Sequence, residues 1–131
     1  MNEANISNKR KINILAVDDG DIELKLMGYY LSQIQSWDIT CFQAKDTAGA
    51  LEIIDSQHID ACLLDYHLGA ETGVELAEKI HALGYTTACI IVTGLDTDEL
   101  ETLVHAKGFN HVLAKEQMSA SSLEAVIGSL L

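Results

Sequence analysis

The chain has 131 residues, 48% of them hydrophobic, and eight basic against twenty acidic side chains, for a formal net charge of −12. Such a hydrophobic share excludes a disordered, low-hydrophobicity chain, and the length suits one domain with its own core. The acidic balance argues against a general nucleic-acid surface, because phosphate backbones select lysine and arginine, and no apolar run approaches the roughly 20 residues of a membrane helix.

The N-terminus, MNEANISNKRK, is polar with no apolar stretch behind its charges. It reads as a loose lead-in over residues 1–10 rather than a signal peptide, so a cytoplasmic domain over residues 11–131 is expected. The first apolar run, Ile12 to Val17, reads as a strand ending at Asp18-Asp19. A helix follows with Leu24, Met27, Leu31 and Ile34 on one stripe and Asp21 placed to cap it. The second strand reads from Ile39 to Phe42, and Asp46 as the cap of a helix carrying Leu51 and Ile54. The third strand, Ala61 to Leu64, stops at Asp65. A loop from Gly69 to Gly73 leads to a helix with Leu76, Ile80 and Leu83, which Gly84 ends in a left-handed conformation. The fourth strand, Ala88 to Val92, stops at Thr93. Asp96 and Glu99 then have capping-box spacing, Leu100, Leu103 and Val104 share a helical face, and Gly108 closes the turn. The fifth strand, His111 to Ala114, stops at Lys115, and Ser119 caps a last helix carrying Leu123, Val126, Ile127 and Leu130.

Strands that are continuous apolar runs belong in a parallel sheet covered on both faces. Right-handed crossovers then predict an α/β fold: a doubly wound five-stranded parallel sheet of order 2-1-3-4-5, a flavodoxin-like (βα)5 sandwich. Cys41, Cys62 and Cys89 lie inside apolar stretches without a CxxC pair and read as small buried hydrophobes. The polar residues at the strand ends carry the chemistry. Ligands of open parallel sheets bind outside the carboxyl ends of the strands, at the switch between the first and third. That geometry gathers Asp18, Asp19 and Asp65, with Thr93 and Lys115 beside them. Three close carboxylates repel one another unless a cation sits among them, and a hard, oxygen-seeking ion such as Mg²⁺ suits them. A cation, a lysine and a hydroxyl together suit a phosphoryl group, and one carboxylate can be the nucleophile that forms an aspartyl phosphate.

The segments ILAVDDGD, DACLLDYHLGAETGVEL, IIVTG and GFNHVLAKEQ together resemble the receiver domain of bacterial two-component response regulators, over nearly the whole chain from about Lys11. The resemblance implies that Asp65 is the phosphoacceptor, charged from the phosphohistidine of a sensor kinase or phosphotransfer protein. It implies that Asp19 binds Mg²⁺ directly and Asp18 through water, while the backbone carbonyl of His67, not its imidazole, completes the metal site. Thr93 matches the hydroxyl that moves toward the phosphoryl group and Lys115 the lysine that pairs with it. The implied protein is no enzyme beyond its own phosphorylation and dephosphorylation. It passes the signal to an output domain in cis or an effector in trans, touches neither nucleic acid nor membrane through this domain, and is free to form a homodimer.

Four departures from the family pattern stand out. Glu116 replaces the proline that commonly follows the lysine, where a cis bond before a non-proline residue would cost about 2.5–4 kcal/mol. Val112 holds the place of the switch aromatic. Gly69 replaces a common proline and is expected to loosen its loop. The last helix has no lysine or arginine, against a charge-paired dimer face. His67 and Leu95, two residues past the acceptor and the threonine, flank the path of hydrolytic water. Three rivals remain at this stage. One is a degenerate receiver used only as an interaction module. Another is a haloacid-dehalogenase-type Mg²⁺-dependent phosphohydrolase built on Asp19-Gly20-Asp21. The last, an FMN binder, is disfavoured because Asp18-Asp19 would repel the phosphate. Trp37 and the histidines at 58, 81, 105 and 111 read as packing or surface residues. The first helix near Gly20 to Leu26 reads as a kinase-docking face.

Overall fold

The computed structural model describes residues 9–94, 97–109 and 111–131. Most of the expected lead-in, together with Leu95 and the Asp96 half of the expected capping box, lies outside them. Strands and helices alternate: β1 (Lys11–Val17), α1 (Asp21–Ser32), β2 (Asp38–Ala44), α2 (Thr47–Ser56), β3 (Ala61–Asp65), the short β4 (His67–Leu68) and β5 (Glu71–Thr72), α3 (Gly73–Ala82), β6 (Ala88–Thr93), α4 (Thr97–Ala106), β7 (Val112–Ala114) and α5 (Ala120–Leu130). The main sheet is parallel with order β2-β1-β3-β6-β7, which is the expected 2-1-3-4-5 once the antiparallel β4–β5 hairpin is set aside.

Period-two alternation divides the sheet between two apolar layers. Ile12, Ile14, Ala16, Leu63, Ile90 and Val92 pack with Leu24, Met27 and Leu31 of α1 and Leu123 and Ile127 of α5. Leu15, Val17, Cys62, Leu64, Cys89 and Ile91 pack with Ile54 of α2, Leu76 and Ile80 of α3, and Leu100 and Val104 of α4. All three cysteines are free thiols, with Cys62 and Cys89 buried and paired in register across β3 and β6. Trp37 joins the α1/α5 layer, where its ring lies against Gly128. Among the described residues no helix is long and apolar enough to cross a membrane.

Several local expectations change. Asp21 is the first residue of α1 rather than its cap. Gly20 holds the cap position without a side-chain bond, and Asp21 pairs with Lys45. Leu83 and Leu103 are exposed, because Leu83 caps the end of α3 and Leu103 lies off the buried stripe of α4. The second strand runs longer than Ile39 to Phe42 and, being an edge, is only half covered. Gly69, expected to loosen its loop, lies in a defined turn. Its φ of 72° makes the two-residue turn that closes the β4–β5 hairpin. Asp46 caps α2 by accepting from the Gly49 N–H at 2.7 Å, Ser119 caps α5, and Gly84 and Gly108 have φ of 95° and 91°. No described peptide bond is cis, and the chain after β7 tightens into a 3-10 turn over Lys115–Gln117.

Leu63 sits fully buried in the central strand, so Leu63→Ala should cost about 3 kcal/mol. The check is urea unfolding: a lowered midpoint with an unchanged slope is expected, and a loss below about 1 kcal/mol would contradict this packing.

Candidate functional site

Parallel pairing brings the carboxyl ends of β1, β3, β6 and β7 to one edge of the sheet, and the polar residues that end these strands meet there. Asp18, Asp65 and Thr93 are the buried polar side chains among the described residues. Oxygen atoms of Asp18, Asp19 and Asp65 lie within 4.8 Å of one another, with Asp19 exposed at the mouth. Lys115 Nζ reaches across from the end of β7 to Asp18 Oδ2 at 3.1 Å and Asp65 Oδ1 at 3.3 Å. Thr93 ends β6 in register with Ala114, the residue before Lys115. All five strand-end residues singled out in the sequence are therefore brought together.

The backbone fixes these carboxylates. The Asp18 N–H donates to the Ala44 carbonyl, and Asp18 Oδ1 accepts from the Gly20 N–H at 2.9 Å. Asp18 Oδ2 faces the Lys115 ammonium but has no well-directed hydrogen bond although it is sealed from solvent. The Tyr66 N–H donates to the Val92 carbonyl, which carries the turn after Asp65 over β6, and the His67 backbone amide stands where it favours the ionised Asp65 carboxylate. His67 itself lies in β4, its ring edge-on to Tyr66 at 5.0 Å between centroids.

Gly73 is a part of this site that the sequence reading missed. A β-carbon there would collide with the Asp65 carbonyl oxygen and come within 3.2 Å of Leu64 Cβ, while the Gly73 N–H donates to the Tyr66 carbonyl at 2.9 Å. Glycine lets the start of α3 press against the backbone of Asp65. The signal in the sequence was the spacing from Asp65 to Gly73, read there only as the end of a loop.

Charge is unbalanced in the pocket. Burial pushes the Asp65 carboxyl above its ordinary pKa, and the Asp18 charge pushes the same way; the Lys115 charge and hydrogen bond and the His67 amide oppose them. Burial works against the Lys115 ammonium, yet its close ion pair with Asp18 and the charges of Asp65 and Asp18 prevail and raise its pKa. Three carboxylates against one ammonium, with a sealed oxygen short of hydrogen bonds, form a hard oxygen donor set that fits a small divalent cation. Asp21, the second carboxylate of the phosphohydrolase reading, is engaged by Lys45 and stands outside the cluster.

Comparison with known proteins agrees with this geometry. The family model described as response regulator receiver domain matches residues 14–127. The chain is 30% identical over 110 residues to the sensor histidine kinase RcsC of Escherichia coli (strain K12), covering 84% of this chain and 11% of that protein. It is 32% identical over 82 residues to the transcriptional regulatory protein MalR of Bacillus subtilis (strain 168), covering 63% of this chain and 34% of that one. The chain thus spans only a small part of either relative. A response regulator receiver domain protein from Clostridium thermocellum has the same fold, with a TM-score of 0.79 at 21% identity over 91% of this chain and 93% of that one.

Two outcomes are expected. Because Asp65 holds its proton above the ordinary carboxylate pKa of about 4, its contribution to stability is full below that pH and is lost as pH rises through the raised folded value. In the presence of a chelator, the melting temperature of Asp65→Asn should therefore gain on wild type as pH rises above about 4 and through the raised folded value. A gap that stays constant would show that Asp65 is not strained by its charge. Gly73→Ala should lose about 1–3 kcal/mol in denaturant unfolding, and a neutral result would remove the close approach of α3 to Asp65.

Proposed function

The chain belongs to the response regulator receiver domain family, and from that premise we propose that Asp65 is its phosphoacceptor, charged by the phosphohistidine of a sensor kinase or phosphotransfer protein. The observation that carries this reading is the buried Asp65 carboxylate held within reach of two more carboxylates and 3.3 Å from the Lys115 ammonium. An Asp65 oxygen attacks phosphorus in line with the leaving nitrogen. The new P–O bond forms as the P–N bond breaks, and the departing imidazole keeps the electron pair and takes up a proton. Lys115 moves its ion pair from the carboxylate to a phosphoryl oxygen, and the Thr93 hydroxyl donates a hydrogen bond to another. Asp18, Asp19, Asp65 and the His67 backbone carbonyl would hold Mg²⁺, which when bound supplies positive charge against the phosphoryl oxygens.

The same residues serve dephosphorylation, in which a water oxygen attacks phosphorus, the bond from phosphorus to the Asp65 oxygen breaks, and the carboxylate is restored as inorganic phosphate leaves. The domain thus catalyses only its own phosphorylation and dephosphorylation. The two relatives are a sensor kinase and a transcriptional regulator, each much longer than this chain. That supports a relay in which this domain passes its state to an output domain in cis or an effector in trans. The free thiols support a reducing, cytoplasmic setting.

Incubated with acetyl phosphate and Mg²⁺, the wild-type chain should gain one phosphoryl group by intact mass, and Asp65→Asn none. Lys115→Met should label at least about tenfold more slowly. Undiminished labelling of Asp65→Asn would move the acceptor elsewhere, and multiple turnover of a small phosphate ester would favour a phosphohydrolase.

A further inference from the structure

The β4–β5 hairpin has two residues on each side, His67 paired with Thr72 and Leu68 with Glu71. A ladder this short is far below what is stable by itself, so its geometry must be imposed from outside. Thr72 is at once the last residue of β5 and the N-cap of α3. Its hydroxyl accepts from the Glu75 N–H at 3.1 Å, and Glu75 Oε1 accepts from the Thr72 N–H at 2.8 Å, closing a reciprocal capping box. An ion pair of 2.6 Å between Lys79 and Glu71 ties the same hairpin one turn further along α3. One residue on, the Gly73 N–H holds the Tyr66 carbonyl, and α3 abuts the Asp65 backbone.

These contacts converge on a single peptide segment. The His67 backbone amide favours the ionised Asp65 carboxylate, and the His67 carbonyl is the backbone ligand proposed above. We propose that the Thr72–Glu75 capping box is a positioning device for the phosphoacceptor site. By clamping β5 to α3 it fixes His67 across the hairpin, and so the amide that orients Asp65 and the carbonyl that faces the cation. The amide part stands on the pairing of His67 with Thr72 and on the capping box, whereas the carbonyl part rests on the proposed cation site. Groups that orient ligands from behind are commonly worth about 10–100-fold in metal affinity.

A box that merely stabilises α3 would behave like any other helix cap. Asp46 provides the matched control. It caps α2 by the same kind of side-chain bond, to the Gly49 N–H at 2.7 Å, and no hairpin hangs from it. The experiment uses the full chain as wild type, Thr72→Ala, Thr72→Ser and Asp46→Ala, with two readouts: amide hydrogen exchange of residues 66–71 without metal, and Mg²⁺ affinity by calorimetry. Thr72→Ala should speed exchange at the His67 amide and weaken Mg²⁺ binding about tenfold. Thr72→Ser should restore both, and Asp46→Ala should lose stability with neither change. Should Thr72→Ala fail to fold, Glu75→Ala removes half the box and should shift both readouts in the same direction by less. Equal Mg²⁺ affinity and equal His67 exchange in Thr72→Ala and Asp46→Ala would overturn the positioning role. A wild-type chain that binds no Mg²⁺ would overturn the cation site instead, and the exchange measurements would still decide the clamp.

Discussion

Two buried carboxylates, Asp18 and Asp65, share one lysine at the end of the sheet. Like charges placed this close in a site sealed from water are costly unless countercharge is supplied, and Lys115 alone leaves the pocket negative. That imbalance is the constraint on which the rest of the molecule turns. Burial first, and the Asp18 charge with it, keeps the Asp65 carboxyl above its ordinary pKa. The imbalance calls for a cation, and in the proposed phosphotransfer it leaves the lysine ready to exchange a carboxylate partner for a phosphoryl oxygen. A core arranged only for stability would replace such charges with apolar groups. Here that cost is carried at one spot, by a sheet whose other buried side chains are almost all apolar.

The fold bears this strain because rigid, doubly covered strands end at the site. β1 and β3 lie side by side at the switch point, so their carboxyl ends cannot separate without unpairing the sheet centre. Asp65 is flanked on three sides: by β6, which the Tyr66 amide bonds, by α3 through the close approach at Gly73, and by the hairpin, whose His67 amide favours the ionised carboxylate. A receiver must also release its product, and the exposed Asp19 and half-exposed Lys115 leave the mouth of the pocket open on one side.

The departures from the family pattern now have physical content. Without a proline after Lys115, the chain makes a 3-10 turn through trans peptides and still delivers the ammonium to both carboxylates. Val112, in place of the switch aromatic, pairs with Ile91 and packs half-buried on the layer shared by α2, α3 and α4. A β-branched side chain held in a strand has little rotameric freedom, so it makes a poor two-position switch. Gly69, in place of proline, supplies the left-handed turn of a hairpin.

Local chemistry was legible in the chain itself. Apolar periodicity located every strand of the main sheet and every helix, and the caps at Asp46 and Ser119, the left-handed closures at Gly84 and Gly108, and the five polar strand ends could all be read in order. These depend on neighbours a few residues apart, which is the range over which hydrophobic period and capping act. The cap assigned to Asp21 and the inward places given to Leu83 and Leu103 went astray where the path of the backbone, rather than residue type, decides which group faces what. Tertiary structure alone decided that the one Lys115 ammonium reaches both Asp18 and Asp65, that Gly73 must lack a side chain because α3 lies on Asp65, and that the Thr72-x-x-Glu75 box clamps a hairpin bearing His67. Each is a distance across space between groups far apart or on opposed elements. No local pattern encodes such a distance until parallel pairing has set the strand ends side by side.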